Sequence, residues 1–325
     1  MFLEDAPWNK NKEDIKEIIN GSSNQVNKHQ MDSLNKLGTE KDHMNTGIMS
    51  LDMELLGIQP GDIMLLASRF RDERNLVVLN IIEHIIRWER VSTVYFCNNE
   101  PKKKILASLM SLESLVGLEQ ILTGEVNCLD YDRVKDAAYR LCDLPLVIDD
   151  DPDQSIHGIM NRTRKYRSEC NVSFIVIDYI SLSELVKIES SCGGEGYERV
   201  CYKMKSMAQE MNCAILILTD IPSQPRNDRK SRPSFRDLKN ASPIFGCMDF
   251  ILFAYCDTYQ QFEITNHVGD SMQIIVTKTR EGQSNKVVKL GIDAQRLRLM
   301  EIEVPEDVPF DDGDFYIFDD DSIVD

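Results

Sequence analysis

From Thr46 to about Met300, short continuous runs of Val, Ile, Leu and Phe alternate with stretches of helical periodicity. The runs are Ile63–Ala67, Thr93–Cys97, Leu146–Ile148, Phe174–Tyr179, Ala214–Leu218, Phe250–Tyr255, Met272–Thr277 and Val287–Leu290. They do not alternate apolar with polar, so each strand must be covered on both faces. The helical patterns between the early ones are Leu76–Trp88, Lys102–Leu109, Asp130–Leu141, Ile156–Glu169 and Tyr197–Met211. Buried strands separated by helices predict an α/β fold with a mostly parallel central sheet flanked by helices. The last strands have few helices between them and predict an antiparallel extension at one edge.

The segment joining the first strand to its helix carries the next constraint. A phosphate-binding loop at this place reads G-x-x-x-x-G-K-S/T, its glycines letting backbone N–H groups close on phosphate oxygens. Here the loop after Ala67 has no glycine. Glu73 stands at the second glycine position, Arg74 at the lysine and Asn75 at the hydroxyl. Arg74 keeps the positive charge in a different shape. Glu73 puts a carboxylate where a phosphate would pack. An NTPase scaffold with this loop is an inactive enzyme or a scaffold put to another use.

Composition narrows the classes. The chain of 325 residues, 42% hydrophobic, can bury a sizeable core. Nine cysteines form no C-x-x-C pair, and Cys97, Cys213 and Cys247 lie in apolar surroundings, as in a reduced, cytoplasmic protein. The first residues are acidic, with no signal-peptide pattern, and no apolar run is long enough to span a membrane. Net charge is −17, and Pro305–Asp325 holds nine acidic residues and no basic one, leaving −8 for the rest. Such a protein contacts nucleic acid only through a local basic patch.

Three regions follow: residues 1–45 as a polar helical arm, 46–302 as the α/β domain, and 303–325 as an acidic disordered tail. In the arm, Lys12–Asn20 and Gln25–Leu37 read as short helices that need a surface to dock on.

Five segments in register resemble the RecA-like C-terminal motor domain of DnaB-type replicative helicases (superfamily 4), with a degenerate Walker A loop. They are Thr46–Asp52 with Gly57–Asp62, the loop after Ile63–Ala67, Pro145–Asp150, Phe174–Tyr179 and Thr277–Gly282. The resemblance covers roughly 46–302. The family's primase-binding domain has no counterpart here, and residues 1–45 match at most its linker helix.

The resemblance implies site residues. Asp178 would hold Mg²⁺ through water, or it simply caps the turn after its strand. Arg69, Arg74 and Asn75 would join it in nucleotide binding. The family's catalytic glutamate falls on Asn99, which cannot take a proton. Glu100, one residue on, could replace it, or serves as a charged helix N-terminus ahead of Pro101. Lys278 and Arg280 match the pair that reaches a neighbour's site in a hexamer, or form a solvated strand end. Asp220 replaces a glutamine that senses the γ-phosphate.

Arg226, Arg229, Lys230, Arg232 and Arg236 form a basic loop matching the family's DNA-facing channel loop, or a solvated polar loop. The other channel loop falls on the acidic, glycine-rich Glu189–Gly196. The tail could bind a basic groove of a partner.

The sequence thus favours a DnaB-like replication protein without ATPase activity: an accessory or partner-binding subunit, needing no cofactor. It would contact single-stranded DNA and a homo-oligomer or a partner helicase. The alternatives are an active ATP- and Mg²⁺-dependent DNA helicase with an atypical loop, and a self-assembling scaffold without a nucleic-acid role.

Overall fold

A computed structural model of the chain describes residues 43–97, 100–153, 155–178, 196–221, 232–238, 246–256 and 271–302. Asn99, the 189–196 loop up to Glu195, residues 1–42 and the tail from 303 lie outside the described residues.

The elements run α1 (Met49–Leu55), β1 (Ile63–Ser68), α2 (Arg71–Arg87), β2 (Thr93–Cys97), α3 (Lys102–Ser114), α4 (Leu118–Thr123) and α5 (Cys128–Cys142). There follow β3 (Leu146–Asp149), α6 (Ile156–Cys170), β4 (Phe174–Asp178), α7 (Gly196–Glu210) and β5 (Ala214–Asp220). After a 3-10 turn (Phe235–Asp237) come β6 (Phe250–Cys256), β7 (Ser271–Thr279), β8 (Gly282–Asp293) and β9 (Arg298–Glu301).

The nine strands among the described residues form one sheet in the order β3-β2-β4-β5-β1-β6-β7-β8-β9. The pairs from β3 to β6 are parallel and those from β6 to β9 antiparallel. The expected α/β class and its antiparallel edge are both present. β1 shows why its run is unbroken. Met64 and Leu66 face the core under α1, α2 and α3, while Ile63, Leu65 and Ala67 face the one under α6 and α7. Burial of both faces, at roughly 25 cal/mol per Å² of apolar surface, holds the layers together.

Local chemistry sets the helix ends. Asn127 accepts the Asp130 N–H at 2.9 Å and starts α5; Ser155 accepts the Gly158 N–H at 3.0 Å and starts α6. Gly47 has φ +81°, and a Cβ there would lie 2.3 Å from Cγ of His84, so this approach of the entry segment to α2 requires glycine.

Two expectations need correction, and three short elements were not expected. α2 begins at Arg71, five residues before Leu76, because Glu73 caps its own first turn. α1 and α4 have seven and six residues and carry too little periodicity to be read from sequence. β8 is longer than Val287–Leu290, and its exposed alternate residues disguised it; β9, four residues at the edge, was not foreseen. No described helix is long and apolar enough to cross a membrane.

Candidate functional site

Parallel strands deliver their last residues to one edge of the sheet. Register pairs Ser68 of β1 with Asp220 of β5, and Asp178 of β4 with Leu218 of β5. Ser68, Asp178 and Asp220 therefore emerge together, next to the first turn of α2. Only Arg69 and Phe70 separate β1 from α2.

Arg74 fills the space between the two acids. It is among the largest fully buried side chains, with no solvent exposure. Its guanidinium lies 3.4 Å from Oδ1 of Asp178 and donates to Oδ1 of Asp220. Asp178 is itself buried, whereas Asp220 is about a third exposed. A buried guanidinium is tolerated because it is paired; removing one partner of such a group costs about 3–5 kcal/mol. Tyr95 lies nearby, and burial together with Asp178 pushes its phenol well above the ordinary range.

Glu73 points elsewhere. Its Oε2 accepts the Phe70 N–H at 3.2 Å and its Oε1 the Cys256 N–H, at the end of β6, at 3.0 Å. The carboxylate thus ties the β1–α2 corner to β6. It is 1% exposed, and burial pushes its pKa up to about 7 against the opposing pull of those two N–H groups. Ser68 Oγ donates to the Phe70 carbonyl at 2.7 Å and further closes the corner. Asn75 has its buried Oδ1 without a donor among the described residues.

The other candidate residues are placed as follows. Arg69 lies 3.7 Å from Asp237 of the 3-10 turn. Glu100 is held by Lys104 at 2.9 Å and Arg71 at 3.8 Å, just ahead of Pro101, as a charged start to α3. Arg232 is exposed, and Arg236 lies in the 3-10 turn. Arg226, Arg229 and Lys230 lie outside the described residues.

Lys278 and Arg280 are at the opposite edge of the sheet, because β7 runs antiparallel to β6. A bulge between Val276 and Lys278 breaks the simple alternation expected for the pair. Lys278 is half-buried near Asp249, and burial pushes its amine below the ordinary lysine range. Arg280 sits in the turn between β7 and β8. Its Nε reaches Asp62 Oδ1 at 3.0 Å, and its Nη2 reaches Asp62 Oδ2 and the Gly57 carbonyl, each at 2.6 Å. The guanidinium also covers the Phe250 ring at 4.8 Å.

The structure therefore joins Arg74 with Asp178 and separates both from Lys278 and Arg280. Sequence reading gave Asp220 only a repulsive role toward phosphate; here it partners Arg74. It gave Asp62 no role, although its place directly before β1 was visible.

Known proteins share this arrangement of elements. The family model for the DnaB-like helicase C terminal domain matches residues 43–300. A probable replicative DNA helicase of Trieres chinensis is 26% identical over 253 residues, 77% of this chain and 55% of that protein. The replicative DNA helicase DnaB of Buchnera aphidicola subsp. Baizongia pistaciae is 28% identical over 243 residues, 74% of this chain and 51% of that one. The chain thus spans about half the length of these relatives. Among solved structures, an isolated ATPase domain superposes with a TM-score of 0.70 at 17% identity, over 87% of this chain and 100% of that one. A DnaB-like replicative helicase solved for its interactions with primase gives 0.69 at 16%, over 87% and 68%. With most of its length under that family model, this chain belongs to the DnaB-like helicase C-terminal domain family.

Proposed function

We propose that the chain is a replication protein of this family that has given up ATP binding and acts as an accessory or partner-binding subunit. The observation that carries the reading is Arg74, buried between Asp178 and Asp220. A carboxylate that would hold Mg²⁺ already holds a guanidinium, and a fixed cation repels a second one. The phosphate cradle fits no better. Residues 71–73 are wound into α2, and the Phe70 N–H is taken by the chain's own Glu73. Mg²⁺–ATP does not fit these residues.

In this reading residues 46–302 are the folded body, 1–45 an arm and 303–325 a tail. Arg226, Arg229, Lys230, Arg232 and Arg236 supply contacts to single-stranded DNA phosphates. The body assembles with copies of itself or with a partner helicase. Calorimetric titration with Mg²⁺–ATP is the test: no heat of binding is expected, and the mass in solution should not respond to nucleotide. Saturable binding would overturn the reading.

The names of the relatives favour a second reading, an active ATP-dependent helicase. It would need Arg74 to release both acids and Glu100 to leave Arg71 and Lys104. Nucleotide-driven assembly with DNA-stimulated hydrolysis would establish it. A pure scaffold is separated by single-strand DNA binding that weakens with salt and with loss of the five cations.

A further inference from the structure

Large apolar side chains cluster on the surface beside α1. Met49, Met53 and Leu56 follow one another at helical spacing and are 70%, 71% and 66% exposed. The opposite side of the same helix, Leu51 and Leu55, is in the core. Trp88, 65% exposed at the end of α2, faces Met49 and Met53 across an open depression of about 550 Å³. Asn45, Gly47, Asp52, His84 and Glu89 complete its wall. An apolar surface of this kind, rimmed by polar groups, marks an interaction site. Methionine adapts its shape to a partner, and tryptophan dominates contact energies.

The chain itself leaves the folded body at this rim. Glu301 Oε1 accepts the Ser50 N–H at 3.0 Å, which brings the end of β9 against the start of α1. Ile302, the last described residue, is 40% exposed there, next to exposed Met300. Residues 303–325 follow directly and contain the run Phe315-Tyr316-Ile317-Phe318 flanked by Asp311, Asp312, Asp314 and Asp319–Asp321. Twelve residues lie between Ile302 and Phe315, thirteen steps with a reach of up to about 43 Å at roughly 3.3 Å per residue.

The two charged side chains lining the depression itself are acids, Asp52 and Glu89, so the surface suits the aromatic run and the flanking acids must lie outside it. The cations near it are Arg87, 5.1 Å over the Trp88 ring and paired with Glu83 and Glu113, and exposed Lys286 beside Glu54 of α1. The acids of the rim are engaged: Asp52 accepts from Thr46 and Gly47, and Glu89 from Asn45. The described residues begin at His43, two positions before Asn45 of the wall, but the apolar stripe Ile15, Ile18 and Ile19 is 24 or more positions away in sequence and among mixed charges. We propose that the aromatic run Phe315–Phe318 of this chain's own C-terminal segment docks on the Met49–Met53–Trp88 surface. An acidic, aromatic segment held there in cis is displaced when a partner competes for either side. The inference is independent of whether ATP binds.

The chain has two tryptophans, Trp8 and Trp88, so a Trp8→Phe background reports Trp88 alone. In that full-length background the Trp88 emission should be blue-shifted and shielded from acrylamide. Phe315→Ser, Tyr316→Ser and Phe318→Ser together should shift it to the red and raise quenching, equally at every protein concentration. From the other side, Met53→Glu should speed chymotrypsin cleavage within 315–318 while leaving the circular dichroism intact. The proposal is overturned by Trp88 emission indifferent to the tail substitutions or by cleavage indifferent to Met53→Glu. It is overturned equally if Ile15→Ser, Ile18→Ser and Ile19→Ser alone unmask Trp88, which assigns the surface to the arm. Shielding that vanishes on dilution assigns it to a second copy and overturns it as well.

Discussion

The two edges of the central sheet each hold an arginine against aspartate, and they do so differently. At the edge where β1, β4 and β5 end, Arg74 is wholly enclosed and shared between two acids from different strands. At the other edge, Arg280 is 26% exposed and forks a single acid, Asp62, with an aromatic ring beneath it. The first arrangement is a desolvated charge that only its partners make tolerable. The second is a bidentate clasp that keeps water within reach. The contrast matters for function. The edge at which the family resemblance places nucleotide is the one closed by internal charge. The residue expected to reach a neighbour is folded onto its own chain.

Arg74→Ala tests the first edge and should have the largest effect. It leaves two acids without their cation and should cost about 3–5 kcal/mol in urea unfolding. A loss below about 1 kcal/mol would mean that the three groups are not coupled. Arg74→Lys should recover part of the loss, since a point charge cannot serve both acids with one fork.

Glu73 sharpens the picture at the same edge through pH. Its native pKa, raised from 4.5 to about 7, means that the folded state binds the proton more tightly than the unfolded one. Its contribution is fully present below about 4.5 and is lost as pH rises to about 7, on the order of 3 kcal/mol in all. Unfolding free energy measured from pH 5 to 8 should fall along this limb, and Glu73→Gln should flatten it. An unchanged slope in the variant would place the titration elsewhere.

Arg280→Ala probes the opposite edge and should cost less, about 2 kcal/mol, because exposure lets water replace part of what is lost. A double-mutant cycle with Asp62→Asn should show coupling of about 1 kcal/mol or more. A neutral reference comes from Ser155→Ala, which removes one helix cap and should cost only about 1 kcal/mol. If it costs as much as Arg74→Ala, the charge comparison loses its meaning.

Much of the fold was legible. Eight of the strands and five of the helices were visible as apolar runs and helical periods, since burial on both faces leaves no polar alternation to confuse them. Cys97 and Cys213 read as core residues from their neighbours, and they are free, buried thiols pushed up to about 12 and about 11 by burial. The short α1 and α4 were missed because two turns or fewer leave no period to detect. The start of α2 was misplaced because Glu73 was read as an intruder in a loop, whereas it acts as a cap inside a helix.

The site was legible only in part. Glu73, Arg74, Asn75, Asp178 and Asp220 all stood out as residues that a phosphate site does not want, or keeps at these positions. Their pairing did not, since 104 and 146 residues separate Arg74 from its two acids. The fate of Arg280 depended on a bulge in β7, which shifts register without a signature in composition.

Sequence alone determined the class of the fold: alternating buried strands and amphipathic helices admit few layer architectures, because every backbone polar group and every apolar face must find a partner. It also determined which chemical groups would crowd the edge of the sheet. Only the tertiary structure decided which charge meets which. That choice depends on strand order, register and the loss of water around each group, and these exist only once the sheet has closed.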